Sequence, residues 1–346
     1  MNKRLIINKN DIKPSNEHMK VLGVFNPAII QKENETIMIA RVAEVVNKYE
    51  DEYFIVPTYK NNKISYIKID RHDSAFDFSD ARVIRNHKQN YLTSISHFRV
   101  ARSEDGIHFL FTNTRIFPET EYEAYGIEDP RITQIGDEYF ITYSAISDHG
   151  INVALMKTTD FYHFERLGII LPFDNKDCVI FPRKINDLYY AFHRPSKSDF
   201  GHLDMWTSES RDLLHWGNHR VMINARPSYQ LSSRIGAGAV PFMTDKGWVV
   251  IYHAADANHQ YHLAAMLLDA DDPNRILMRS KKPLLEPEED FEKNGFFNNV
   301  VFTCGLTRKD DYVTIYYGVC DENIALCQLS IAEIFANMEK VDYARN

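Results

Sequence analysis

A chain of 346 residues with 44% hydrophobic and 25% charged side chains can bury a large core, either as two domains or as one closed β architecture. Its formal net charge of -8, with basic residues interleaved among acids, gives no electrostatic footprint for nucleic acid. No apolar run approaches the ~20 residues that span a bilayer, so no membrane partner is expected. The start of the chain also lacks an apolar signal core of ~7–15 residues, which points to the cytoplasm.

In chain order, an N-terminal extension (1–20) leads into a short pattern that recurs five times. A β-branched or aromatic strand runs into a proline or similar breaker, then a polar turn, then a strongly apolar strand. The copies begin at Val24-Phe25-Asn26-Pro27, Ile127-Glu128-Asp129-Pro130, Ile180-Phe181-Pro182, Ala239-Val240-Pro241 and Val300-Val301-Phe302. Their second strands, such as Tyr139-Phe140-Ile141-Thr142-Tyr143 and Trp248-Val249-Val250-Ile251-Tyr252-His253, are short continuous apolar runs, as expected for strands buried on both faces. The first two copies are separated by roughly twice the usual spacing, which predicts an insertion around 45–85.

A second pattern, Ser103-Glu104-Asp105-Gly106-Ile107-His108-Phe109, returns as Thr158-Thr159-Asp160-Phe161-Tyr162-His163-Phe164 and Ser210-Arg211-Asp212-Leu213-Leu214-His215-Trp216. Its Ser/Thr and Asp suit a side-chain-capped turn, its final aromatic is expected to plug the core, and its histidines read as structural. Helical signal is confined to the end, where Ser330 and Glu333 have capping-box spacing and open a helix over about 330–339. These features predict one all-β domain over 1–346, a five-bladed β-propeller with a short C-terminal helix. Cys178, Cys304, Cys320 and Cys327 read as buried free thiols, and no metal-ligand spacing stands out.

In a propeller the innermost strands converge on the axis. Charged residues at their ends are costly unless they share a purpose. Equivalent positions hold Asn26, Arg41, Asp129, Arg131, Arg194, Arg234, His253 and Asp321. One well-placed acid facing several cations does not suit a glycosidase that needs two carboxylates. It suits an anionic nucleophile such as phosphate, which guanidinium forks fit.

The segments around Asn26-Pro27, Gly126-Ile127-Glu128-Asp129-Pro130-Arg131, Phe192-His193-Arg194-Pro195, Arg234-Ile235-Gly236-Ala237-Gly238 and Tyr252-His253-Ala254-Ala255-Asp256 closely resemble glycoside hydrolase family 130, the β-mannoside phosphorylase family. The resemblance runs from about Gly23 to Asp321 and implies a five-bladed propeller that cleaves β-mannosides with inversion, giving α-mannose 1-phosphate. It implies Asp129 as general acid, acting through a hydroxyl of the mannose. It implies Asn26, Arg41, Glu128, Arg131 and Asp321 around the sugar, and Lys176, Arg194, Arg234 and His253 around phosphate. One departure is Arg183, where relatives commonly carry Glu.

The expected partners are therefore a β-mannoside oligosaccharide, with β-1,2 linkage favoured over β-1,4, and inorganic phosphate as co-substrate, with no cofactor. The resemblance also leaves a homo-oligomer open. Two other readings stand beside it: a β-mannosidase using water, with Glu128, Asp177 or Asp256 as base, and a non-catalytic glycan-binding propeller.

Overall fold

The computed structural model describes residues 2–196, 200–225 and 233–341. Among them almost every regular element is a strand, as the apolar runs predict. Strand β1 (Asn2–Ile7) precedes the first antiparallel group, which comprises β2 (Met19–Lys32), β3 (Glu35–Val46), β9 (Ile95–Ser103) and β10 (Leu110–Ile116). Between β3 and β9 the predicted insertion folds as two small sheets. These are the hairpin β4 (Tyr53–Lys60) with β5 (Lys63–Asp70), and the three-stranded β6 (Asp77–Asp80), β7 (Val83–Arg85) and β8 (Asn90–Leu92).

The second group is β11 (Gly126–Ile135), β12 (Glu138–Ser147), β13 (Gly150–Thr158) and β14 (Glu165–Leu171). A single parallel pairing, Gly126 with Ser96, joins it to the first. The third is β15 (Asn175–Ile180), β16 (Tyr189–Pro195), β17 (Met205–Ser210) and β18 (Trp216–Ile223). The fourth holds β19 (Arg234–Ala237), β20 (Phe242–Thr244), β21 (Gly247–Ala255), β22 (Tyr261–Leu268) and β23 (Ile276–Ser280). A one-turn helix, α1 (Asp290–Lys293), precedes the last group of β24 (Val301–Lys309), β25 (Tyr312–Val319) and β26 (Asn323–Ser330).

Two expectations about the ends change. The N-terminal extension is in part a strand, because β1 completes the last group by pairing antiparallel with β26. Lys3 anchors it, its ammonium 2.9 Å from the fully buried carboxylate of Glu292. The C-terminal helix is shorter than predicted. α2 (Ile331–Ala336) begins on the expected capping box, Ser330 with Glu333, but Met338 already belongs to β27 (Met338–Lys340) on the edge strand β23. Strand pairing overrides the helical period there, burying Met338 against the sheet.

The sheets pack face to face through apolar clusters such as Phe181, Phe192, Trp248 and Tyr252. All four cysteines are buried and free. The Ser/Thr-Asp turns form as read: the Asp105, Asp160 and Asp212 carboxylates each accept backbone N–H bonds and hold the Nδ1 of His108, His163 and His215. Those histidines are exposed. The deep plug is not the final aromatic but the residue after the Asp, Phe161 or Leu213, held at φ 61° and 71°.

Candidate active site

Three first strands carry the same irregularity. β2, β11 and β15 each bulge, and a left-handed residue sits in each bulge: Asn26 (φ 49°), Asp129 (φ 52°) and Asp177 (φ 53°). A bulge breaks the strict alternation of a strand and re-aims a side chain. Here it turns three polar side chains into one cavity of about 310 Å³. Gly318 of β25 makes room for the first, since a Cβ there would lie 2.2 Å from Asn26 Oδ1.

On one side of the cavity Arg41 of β3 gathers the acids. It donates from Nη1 to Asp129 at 3.0 Å, from Nη2 to Glu128 at 2.6 Å and from Nε to Ser96 at 3.0 Å, while its plane lies over Phe25. Asn26 Nδ2 donates to the same Asp129 oxygen at 2.8 Å, leaving its own buried Oδ1 without a protein partner. Burial alone would raise the Asp129 carboxyl, but Arg41, Arg131 and Asn26 together hold it below the usual carboxylate range. Burial pushes Glu128 up despite Arg41, and Asp129 adds to the rise. Asp321, in the β25–β26 turn, is pushed up to about 6 by burial, which outweighs the pull of Arg41 and Arg82, and Asp129 and Glu128 add to the rise.

The other side is basic. Antiparallel register places Lys176 of β15 directly opposite Arg194 of β16, and both line the cavity with Arg234 of β19. Like charges directly opposed in a ladder are destabilising unless an anion lies between or beside them. Arg194 Nε is held by Asp177 at 2.8 Å. Arg234 is steadied by the Tyr261 hydroxyl at 3.0 Å and by His259 Nδ1 at 2.8 Å, and its buried Nε has no partner.

Eight of the ten residues expected at the site therefore line one cavity: Asn26, Arg41, Glu128, Asp129, Lys176, Arg194, Arg234 and Asp321. Arg131 and His253 do not. Arg131 is 1% exposed and spends its guanidinium on the carbonyls of Asp129, Ala237 and Gly238 and on Asp177, as a strut behind the cavity. His253 is fully buried behind Asp177, its Nε2 3.3 Å from Oδ2 without hydrogen-bond alignment, and burial holds it below its ordinary value against the pull of Asp177. Arg183 lies away from the cavity, against Trp248.

Sequence reasoning missed Arg82, Tyr261 and the aromatic wall of Phe296, Phe297 and Phe302, all of which line the cavity. Arg82 comes from the β6–β7 turn of the insertion and lies over Phe297. Asp177 was weighed only as a hydrolytic base. Its signal was an acid inside an apolar strand, Asp177-Cys178-Val179-Ile180. Among the described residues no group of three or more His, Cys, Asp or Glu could hold a metal ion.

Comparison with known proteins supplies what geometry alone does not. The family model described as Glyco_hydro_130, beta-1,4-mannooligosaccharide phosphorylase, matches residues 78–340. The chain belongs to glycoside hydrolase family 130. Within this family it is 42% identical over 341 residues, 96% of each chain, to a protein of Listeria innocua named beta-1,2-mannobiose phosphorylase. It is 39% identical to the 1,2-beta-oligomannan phosphorylase of a Thermoanaerobacter species, covering 69% of this chain and 80% of that one. The solved structure of the Listeria innocua enzyme in complex with beta-1,2-mannobiose superposes with a TM-score of 0.93 at 41% identity, over 97% of this chain and 99% of that one. This family 130 chain thus shares its fold and nearly its whole length with a solved relative.

Proposed function

We propose that the protein is an inverting glycoside phosphorylase that transfers the mannosyl unit of β-mannosides, β-1,2-linked mannobiose and short oligosaccharides first, to inorganic phosphate. The observation that carries this reading is the make-up of the cavity: Asp129, with Glu128 and Asp321 near it, shares the cavity with the cations Lys176, Arg194 and Arg234. A phosphate oxygen forms the new bond to C1 as the bond from C1 to the leaving oxygen breaks. Asp129 gives a proton to a mannose hydroxyl, whose own proton passes to the leaving oxygen. The products are α-mannose 1-phosphate and the shortened sugar.

In the free protein Asp129 is held as an anion, so its proton must come with the substrates. Expelling water and adding the negative charge of phosphate both raise a neighbouring carboxyl. Arg41, Asn26, Glu128 and Asp321, which line the cavity around Asp129, hold the sugar.

The three bases considered for the hydrolytic alternative are each engaged elsewhere. Glu128 is tied to Arg41, Asp177 is tied to Arg131 and Arg194, and Asp256 accepts N–H bonds of its own turn outside the cavity. The names of the relatives at 42% and 39% identity favour β-1,2 over β-1,4 linkage. Product analysis on a panel of β-mannobioses decides the reaction: α-mannose 1-phosphate formed only with phosphate supports it, and free mannose formed equally without phosphate overturns it.

The five sheet groups are read as five blades about one axis, closed by the pairing of β1 with β26. Closure of this kind hides sheet edges. An experimental structure with another number of sheets about that axis would overturn the count. The insertion, which brings Arg82 and Val83 to the cavity wall, is assigned to the leaving sugar. Shortening it is expected to change acceptor preference several-fold in the synthetic direction while the KM for phosphate stays within about 2-fold, a contrast read by steady-state kinetics on an acceptor panel.

A further inference from the structure

Asp177 has no part in the chemistry above, yet it fills the third of the three equivalent bulges and is 2% exposed. Its Oδ2 lies 2.8 Å from Arg194 Nε and 3.3 Å from His253 Nε2, and its Oδ1 lies 3.3 Å from Arg131 Nη2. The packing is built around it. A Cβ on Gly236 would stand 2.5 Å from Asp177 Oδ2 and 2.6 Å from His253 Nε2, so only glycine fits at that point of the Arg-Ile-Gly-Ala-Gly segment. By charge alone a buried carboxylate beside an anion pocket opposes the anion. Its presence there calls for an offsetting effect. A guanidinium gripped through Nε is fixed in plane, and its Nη pair then presents a set fork to an oxyanion.

We propose that Asp177 is the positioning residue of the phosphate site, which orients Arg194 and holds the Arg194–Arg131–His253 group together so that an incoming phosphate meets a preformed fork. This rests on the phosphorylase reading. Of the two opposing effects, orientation outweighs repulsion.

Steady-state kinetics test it. Wild-type protein is assayed first with and without phosphate, and a reaction indifferent to phosphate overturns the phosphorylase reading itself. With phosphate dependence established, Asp177→Asn is expected to raise the KM for phosphate about 10- to 100-fold while the KM for β-1,2-mannobiose stays within about 2-fold. A phosphate KM that falls or stays unchanged shows the carboxylate acting only as a repelling charge and overturns the proposal. In an Arg194→Ala background Asp177→Asn should add less than about 3-fold, and full additivity overturns the coupling. Should Asp177→Asn not fold, Gly236→Ala displaces the same carboxylate and must show the same selective loss for phosphate. An equal loss for both substrates counts against the proposal.

Discussion

Asparagine in place of Asp129 is expected to lower kcat on unactivated β-1,2-mannobiose by about 10³-fold, within the 10²–10⁴-fold that a positioned acid contributes. The change keeps an oxygen to accept from Asn26 and Arg41, so the hydrogen-bond frame of the cavity survives. Thermal unfolding should therefore stay cooperative, with Arg41 still paired to Glu128. The loss belongs to protonation of the leaving oxygen. A mannoside with a strongly acidic leaving group needs no such proton, and its turnover should recover at least 10-fold relative to mannobiose. A variant that keeps more than a tenth of wild-type kcat on mannobiose would remove Asp129 from the acid's role.

Asp321→Asn is expected to stabilise the protein at neutral pH while impairing it as an enzyme. In the fold the Asp321 carboxyl is raised from 3.8 to about 6. A group raised by folding binds more protons folded than unfolded between those two values. Its relative contribution is therefore intact below pH 3.8 and declines as pH rises toward 6. Above that, the ionised carboxylate costs about 3 kcal/mol, which a neutral amide of the same shape does not. The variant should gain a few degrees in Tm at pH 7.5 and none at pH 4. Equal Tm values for the two proteins at pH 7.5 would show that Arg41 and Arg82 already neutralise the site. Such a gain on removing a buried site carboxylate is the familiar exchange of stability for function.

Much of this was legible in the residues. The breaker after Asn26 and Asp129 is proline in both cases, and it marks the strand ends where charges collect. The third copy carries no such marker, because its left-handed Asp177 is followed by Cys178. A search led by proline therefore settles on Ile180-Phe181-Pro182, several residues too late, and passes over the residue that holds Arg194. The Ser330–Glu333 cap was read correctly, but the chain beyond it was not, since only the edge of β23 turns Met338 into a strand.

The sequence by itself determined that the chain is all-β, that its strands repeat, and that acids and cations gather at equivalent strand ends. Periodicity and turn chemistry are local, so they survive without coordinates. Which of those charges meet was decided only in three dimensions. Glu128 and Asp129 are adjacent in β11 yet both line the cavity, while Arg131, two residues on, passes behind it. The bulge between them breaks the alternation that any reading of faces relies upon. For the same reason Lys176 and Arg194 become neighbours only through the register of β15 on β16, and that pairing gives the cavity its basic wall.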